Sequence, residues 1–170
     1  MLNFILKEGE NGWGMLARGE IAKPQFNTYK LMNRLSKRRP ASTGPGLASR
    51  TAENASVMVW NLADVQQPVD NPGMSKTRTM SGAPKSLDIA LRGAAAGATA
   101  RISYVDMHRG SPFQTWRRLG SPQYPMPAQM EQIRDAAQNV ALETRHLGKG
   151  GTLSIDLPPE GVALIELAER

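Results

Sequence analysis

The sequence predicts a mainly β fold: an antiparallel β-sandwich with an N-terminal helix and one or two short helices in a long inter-strand segment. Three observations predict it. Apolar residues recur with a period of two around residues 57–62, 87–92, 101–106 and 153–157, the spacing of a pleated strand. Sixteen glycines and twelve prolines in 170 residues favour short elements joined by turns over long helices. Helical spacing is confined to residues 24–35 and to the stretch 107–150.

In chain order, Lys23-Pro24 opens the first helix, since a proline in the first turn has no N–H to leave unsatisfied. Phe26, Tyr29, Met32 and Leu35 recur every three residues and form its apolar stripe, with Asn27, Lys30, Asn33 and Arg34 mostly on the other side. Residues 36–55 are rich in Ser, Gly, Pro and Arg, with Leu47 the only large apolar residue, and read as a linker or loosely held loop. Val57, Val59 and Asn61 then share one face of a strand, with Met58, Trp60 and Leu62 on the other, so this strand is expected to be buried on both sides with Trp60 in the core. Turn residues dominate 63–85. The strands at Leu87–Leu91 and Arg101–Asp106 flank a Gly/Ala turn. Phe113, Trp116 and Leu119 suit a helical turn ending at Gly120, and Met130, Ile133, Ala137 and Val140 suit a helix opened by Pro127. Leu153–Leu157, the Pro158-Pro159-Glu160-Gly161 turn and Val162–Leu167 close the chain as paired strands.

Composition excludes several chemistries. There is no cysteine, which rules out disulfides, thiolate catalysis and zinc–thiolate sites. The two histidines, His108 and His146, are read as ordinary surface or hydrogen-bonded residues, and the sequence implies no metal site and no cofactor. The 21 basic residues exceed the 15 acidic ones, for a net charge of +6, but they are spread along the chain, with Lys37-Arg38-Arg39 the only compact run. Aromatics make up 5%, and no nucleic-acid-binding pattern interleaves with the charge, so a solvated basic surface is favoured over a nucleic-acid partner. The apolar stretch Leu2–Leu6 is too short for a signal-peptide core, and nothing approaches the roughly 18 apolar residues of a membrane span. A soluble chain without an export signal, cytoplasmic by default and without a membrane partner, is expected.

The most distinctive stretch runs from Asp106 to Gln129. A strand ending in Asp leads to His108-Arg109-Gly110-Ser111, then to an aromatic helix with Trp116, to Gly120-Ser121-Pro122-Gln123, to Pro125, and to a helix carrying Gln129. This order resembles the C-terminal domain of glycoside hydrolase family 39, which contains the β-xylosidases. The loop departs from the family's His-Ser-Asn pattern. Gly19 to Leu35, with its Ile21-Ala22-Lys23-Pro24 step, resembles the last helix of the family's (β/α)8 catalytic barrel. Val57-Met58-Val59-Trp60-Asn61 and the closing strands resemble the sandwich that follows it. The resemblance implies three parts: residues 1–36 as a remnant of the last β/α unit of a barrel, 37–55 as a linker, and 56–170 as an accessory β-sandwich.

It also implies what chemistry is absent. Retaining glycosidases need two carboxyl groups about 5 Å apart. In the family both lie on barrel strands that precede the segment matched here. Trp60-Asn61 is followed by Leu62 where the family's acid/base motif has glutamate, and by register it belongs to the sandwich. Glu8 and Glu10 lie in a Gly-rich lead-in, and Glu20 reads as an acid of the first helical turn. No catalytic residue is therefore assigned, and the chain is expected to be inactive alone, a truncated or orphaned tail. The candidate residues are of two kinds. His108, Phe113, Trp116 and Tyr124 are candidates for contact with a saccharide or a barrel. Phe26, Tyr29, Met32 and Leu35 are candidates for packing a helix on a barrel. The partners implied are a catalytic barrel in the same or another chain, or a second copy through the helix face. A xylan-type saccharide is the ligand if the sandwich is instead a carbohydrate-binding module.

Overall fold

The computed structural model describes residues 14–51, 54–65, 80–95 and 97–168. Leu2–Leu6, Glu8 and Glu10 lie outside the described residues, as does most of the turn-rich stretch 63–85. The described residues form eleven strands and three helices in this order: β1 (Leu16–Ala17), β2 (Ile21–Ala22), α1 (Pro24–Met32), β3 (Gly46–Arg50), β4 (Asn54–Asn61), β5 (Asp64–Val65), β6 (Met80–Ser81), β7 (Lys85–Ala90), β8 (Thr99–Val105), α2 (Phe113–Arg118), α3 (Pro127–Gln138), β9 (Leu142–His146), β10 (Thr152–Leu157) and β11 (Gly161–Ala168).

A five-stranded sheet in the order β3-β4-β11-β8-β9 faces a two-stranded sheet, β10-β7, and all the pairings are antiparallel. The fold is thus the antiparallel sandwich the sequence predicts. Period-two patterning dictates its two cores. On one face of the large sheet, Val59, Ile102, Tyr104 and Ile165 meet Ile155 and Leu157 of β10. On the opposite face, Met58, Val105 and Leu164 meet Leu31 of α1 and Leu35 just after it. β11 is enclosed on both sides, with neighbouring Leu164 and Ile165 both at 0% exposure. β4 is buried on both sides as expected, with Met58 at 4% and Val59 at 6% exposure on opposite faces, but its Trp60 is only half-buried and it ends before Leu62, which is 68% exposed. The closing strand takes the centre because it pairs with β4 and β8 at once, along six or more residues each.

The stretch 37–55 is not a linker throughout. Gly46–Arg50 forms β3, in register with β4 from Gly46↔Val59 to Arg50↔Ala55. Its side chains are small or polar because it lies on a sheet edge, where backbone pairing rather than apolar burial supplies the stability. Leu47 faces Met58 and joins the core under α1, while Ser36 N–H donates to Ser49 Oγ at 3.1 Å and ties the end of the helical region to this strand. β9 was likewise hidden, since Leu142–His146 carries Glu143 and Arg145 on its half-buried side.

The buried face of α1 also differs from the expected stripe. Asn27, Leu31 and Leu35 face inward at spacings of four, Phe26 and Tyr29 are half-buried, and Met32 is 42% exposed. A spacing of four keeps side chains on one face of the helix better than the run of threes that was read from the sequence. Glu20 is not in the first helical turn: it sits in the β1–β2 hairpin with φ of 61°, beside Gly19 at 77°. That turn rests on α3, where Arg134 donates to the Gly19 carbonyl at 3.1 Å. A third small core, formed by Ile21, Ile133, Ala137 and Trp116, joins the hairpin to α2 and α3. Among the described residues no helix is long and apolar enough to cross a membrane.

Candidate functional site

β8 ends in a loop whose shape is set by one carboxylate. Asp106 is 4% exposed; its Oδ1 accepts the backbone N–H groups of His108 and Arg109 at 2.7 and 2.9 Å, and its Oδ2 accepts Arg109 Nε at 2.6 Å. A buried carboxylate is tolerated here because backbone donors and a guanidinium replace its lost water. The Arg109 guanidinium lies 3.9 Å from the centre of the Tyr104 ring, a cation–π contact. The Tyr104 hydroxyl donates to Glu143 Oε2 at 3.0 Å, and Glu143 accepts Arg145 at 2.6 and 2.9 Å. Arg145 also donates to the Ser154 carbonyl of β10 at 2.8 Å. This chain of contacts stitches loop, β8, β9 and β10 together. Burial, and then the hydrogen bond to Glu143, push the Tyr104 hydroxyl up to about 12. The Arg145 hydrogen bond holds the Glu143 carboxyl below its usual range.

The loop then turns at Gly110, with φ of +63°, and its N–H donates to the Asn139 carbonyl at 2.7 Å. A side chain there would press on Val140, Asn27 and Val105 at 3.3–3.4 Å. Asn27 Nδ2 donates to the Gly110 carbonyl at 2.8 Å and to the Ala137 carbonyl at 2.6 Å, so one buried amide on α1 holds both the loop and the end of α3.

Of the sequence-predicted residues, His108 is exposed on this loop, and its backbone N–H is held by Asp106. Phe113 opens α2 with 46% of its surface exposed, its ring centre 6.0 Å from that of Trp116. Trp116 turns inward: it packs beside Ile133, and its Nε1 donates to the Pro122 carbonyl at 3.1 Å. Left-handed Gly120 and Ser121 reverse the chain after α2, and the connector leaves Tyr124 77% and Met126 67% exposed. The structure therefore brings Phe113 and Trp116 together, and leaves Phe113 and Tyr124 as apolar surface. Asn27, Tyr104, Arg109 and Glu143 were missed as organisers of the loop. An aspartate followed by two backbone donors is a recognisable local motif, but the partners of the other residues are distant in sequence.

The half-buried or buried carboxylates among the described side chains hold structure. Asp106 and Glu143 are placed above, Glu160 accepts the Ala63 N–H at 2.9 Å, and Glu166 pairs with Arg34. Asn61, the residue of the Trp-Asn-Leu stretch, donates to the Ala83 and Leu157 carbonyls inside the sandwich. Among the described residues, no group of three His, Asp or Glu could hold a metal ion.

The sequence profile of glycosyl hydrolases family 39 matches residues 3–154. The chain belongs to this family. It is 24% identical to a β-xylosidase from Geobacillus stearothermophilus over 160 residues, 93% of this chain and 29% of that enzyme. It is 22% identical to an α-L-iduronidase from Mus musculus over 167 residues, 97% of this chain and 24% of that protein. The chain thus spans less than a third of the length of either of these two relatives. The crystal structure of a monomeric β-xylosidase from Caulobacter crescentus CB15 superimposes with a TM-score of 0.73 at 17% identity, covering 96% of this chain and 34% of that one. That likeness is one of fold.

Proposed function

We propose that this chain is the accessory β-sandwich of a family 39 glycoside hydrolase, which packs against a catalytic (β/α)8 barrel and performs no hydrolysis by itself. The observation that carries the proposal is exposed apolar surface: Phe113, Tyr124 and Met126 stand out around α2, and Met32 stands out on α1. Exposed aromatics and methionines at the rim of small cores are what a domain shows where a second body covers it. The carboxylates supply the other half of the reading. Asp106, Glu143, Glu160 and Glu166 are each held by a structural partner, whereas a retaining glycosidase needs two carboxyl groups free to face one sugar. Residues 14–36 would then be the end of the barrel's last β/α unit, with α1 already seated on the sandwich.

The test is hydrolysis of aryl β-xylosides by the purified chain. The expected rate is that of the buffer blank, and turnover that persists in two independent preparations overturns the proposal.

A second reading, a carbohydrate-binding surface, draws on the exposure of Tyr124 at 77% and of Phe113 at 46%. It requires that xylan oligosaccharides change tryptophan fluorescence, since Trp116 lies against Phe113. Silence on titration removes it.

A further inference from the structure

The five-stranded sheet ends in β3 on one side and β9 on the other, and its two edges differ. The outer edge of β3 is covered by the residues that precede it. Arg50 N–H donates to the Arg38 carbonyl at 3.1 Å, and the Arg50 and Gly46 carbonyls accept the Ser36 and Ser42 hydroxyls, each at 2.9 Å. β9 has no such cover among the described residues. The bonds from Tyr104 N–H to the Ala141 carbonyl and from Leu147 N–H to the Ala98 carbonyl fix the phase of its ladder with β8. Glu143 and Arg145 turn their N–H and C=O groups toward β8, so those of Leu142, Thr144 and His146 point outward. These three residues are exposed, Leu142 at 55%. No proline, bulge or lysine within Leu142–His146 blunts the edge. Its charged side chains turn instead to the core face, Glu143 to the Tyr104 hydroxyl and Arg145 to the Ser154 carbonyl.

We infer that the β9 edge is a self-association site whose occupant is β9 of a second copy, antiparallel about a two-fold axis through Thr144. The sequence Leu142-Glu143-Thr144-Arg145-His146 suits that register in both backbone and charge. Thr144 pairs with the partner's Thr144, and Leu142 with the partner's His146, so every outward N–H and C=O of the strand meets its complement. Between those pairs Glu143 lies opposite the partner's Arg145, at the closely spaced positions of an antiparallel ladder. The ion pair within each copy, with Arg145 donating to Glu143 at 2.6 and 2.9 Å, then joins its symmetry mate in one alternating row of charges. The next registers in either direction set Glu143 against the partner's Glu143, or Arg145 against the partner's Arg145, and like charges penalise both slips. This edge is distinct from the α1 and α2 surfaces, and the inference does not depend on the reading of the chain as an accessory sandwich. A five-residue edge buries well under the roughly 1,000 Å2 of a lasting interface, so the pair forms at high concentration and parts on dilution.

The test is sedimentation and amide exchange of the full chain at rising concentration, up to about 1 mM, the weak end of the affinity scale. Sedimentation is expected to show a monomer–dimer equilibrium. Exchange at Leu142, Thr144 and His146 should slow as the concentration rises, while Glu143 and Arg145, already bonded to β8, should change little. Thr144→Pro removes the central outward N–H and none that bonds β8. That variant should keep the parent's slow exchange in β11, which shows it folded, and stay monomeric. Glu143→Arg and Arg145→Glu should each abolish self-association, and an equimolar mixture of the two should restore it, because opposite charges again face each other across the edge. The inference is overturned if the parent chain stays monomeric throughout, if Thr144→Pro still dimerises, or if the mixture stays monomeric. Protection of Thr144 and His146 that does not vary with concentration would place the cover within one chain and overturn it too. So would a dimer whose protection is confined to α1 or to Phe113 and Tyr124.

Discussion

Asn27 and Gly110 are 83 residues apart and share a 2.8 Å hydrogen bond, amide to carbonyl, in the interior. The same amide group reaches Ala137 at 2.6 Å, and Asn27 is 1% exposed. A helix, a loop and the end of a second helix thus depend on one side chain. Replacing Asn27 by Ala leaves two buried carbonyls without this donor, which costs about 2–3 kcal/mol. Asn27→Asp should be worse, because a carboxylate has no N–H to offer and repels both carbonyls. Urea unfolding checks this: the midpoint falls in both variants, further in the second, with the slope unchanged.

Asp106 sets the loop more locally. Asp106→Asn keeps the shape but loses the charge that Arg109 and two backbone N–H groups share. A loss of about 1–3 kcal/mol is expected. Amide exchange at His108 and Arg109 should accelerate, while the exchange of β11 amides falls only with the global stability.

Tyr104 gives the molecule an alkaline limit. Its hydroxyl is raised from 10.0 to about 12 by burial and by the Glu143 hydrogen bond, so the folded state holds a proton the unfolded state releases. The stability this confers is complete below pH 10 and is lost as the pH climbs from 10 toward 12. Thermal midpoints measured across that range should fall less steeply in Tyr104→Phe. In a phenolate absorbance titration, a component near pH 12 should be present in the parent chain and missing in Tyr104→Phe.

The contrast between Leu164 and Met32 tests the placement of the core. Leu164→Ala opens a void between β11 and α1 and should cost about 2–5 kcal/mol. Met32→Ser removes a side chain that is 42% exposed and should change stability by about 0.5 kcal/mol or less. Equal losses would show that α1 is seated differently.

Much of this architecture was legible in the sequence. Period-two patterning located β4, β7, β8 and β10, the Pro158-Pro159-Glu160-Gly161 turn marked the start of β11, and Pro24 and Pro127 marked the two longer helices. The edge strands β3 and β9 were not legible, because their stability comes from pairing with β4 and β8 rather than from an apolar stripe. Asn27 was placed on the solvent side of α1 because a polar residue is normally outside. Its inward position depends on the Gly110 and Ala137 carbonyls, which only the fold brings within reach. Trp116 and Tyr124 lie eight positions apart in one motif, yet one is packed and the other exposed. The left-handed turn at Gly120 and Ser121 between them decides that outcome.

The central claim is that this sandwich works seated on a catalytic barrel. Its most direct test is hydroxyl-radical footprinting of the chain with and without a family 39 barrel expressed without its own tail. The account predicts a complex in which Met32, Phe113, Tyr124 and Met126 become protected while exposed Leu142 of β9 stays reactive. No complex, or a complex in which those four residues react as they do in the free chain, would contradict it.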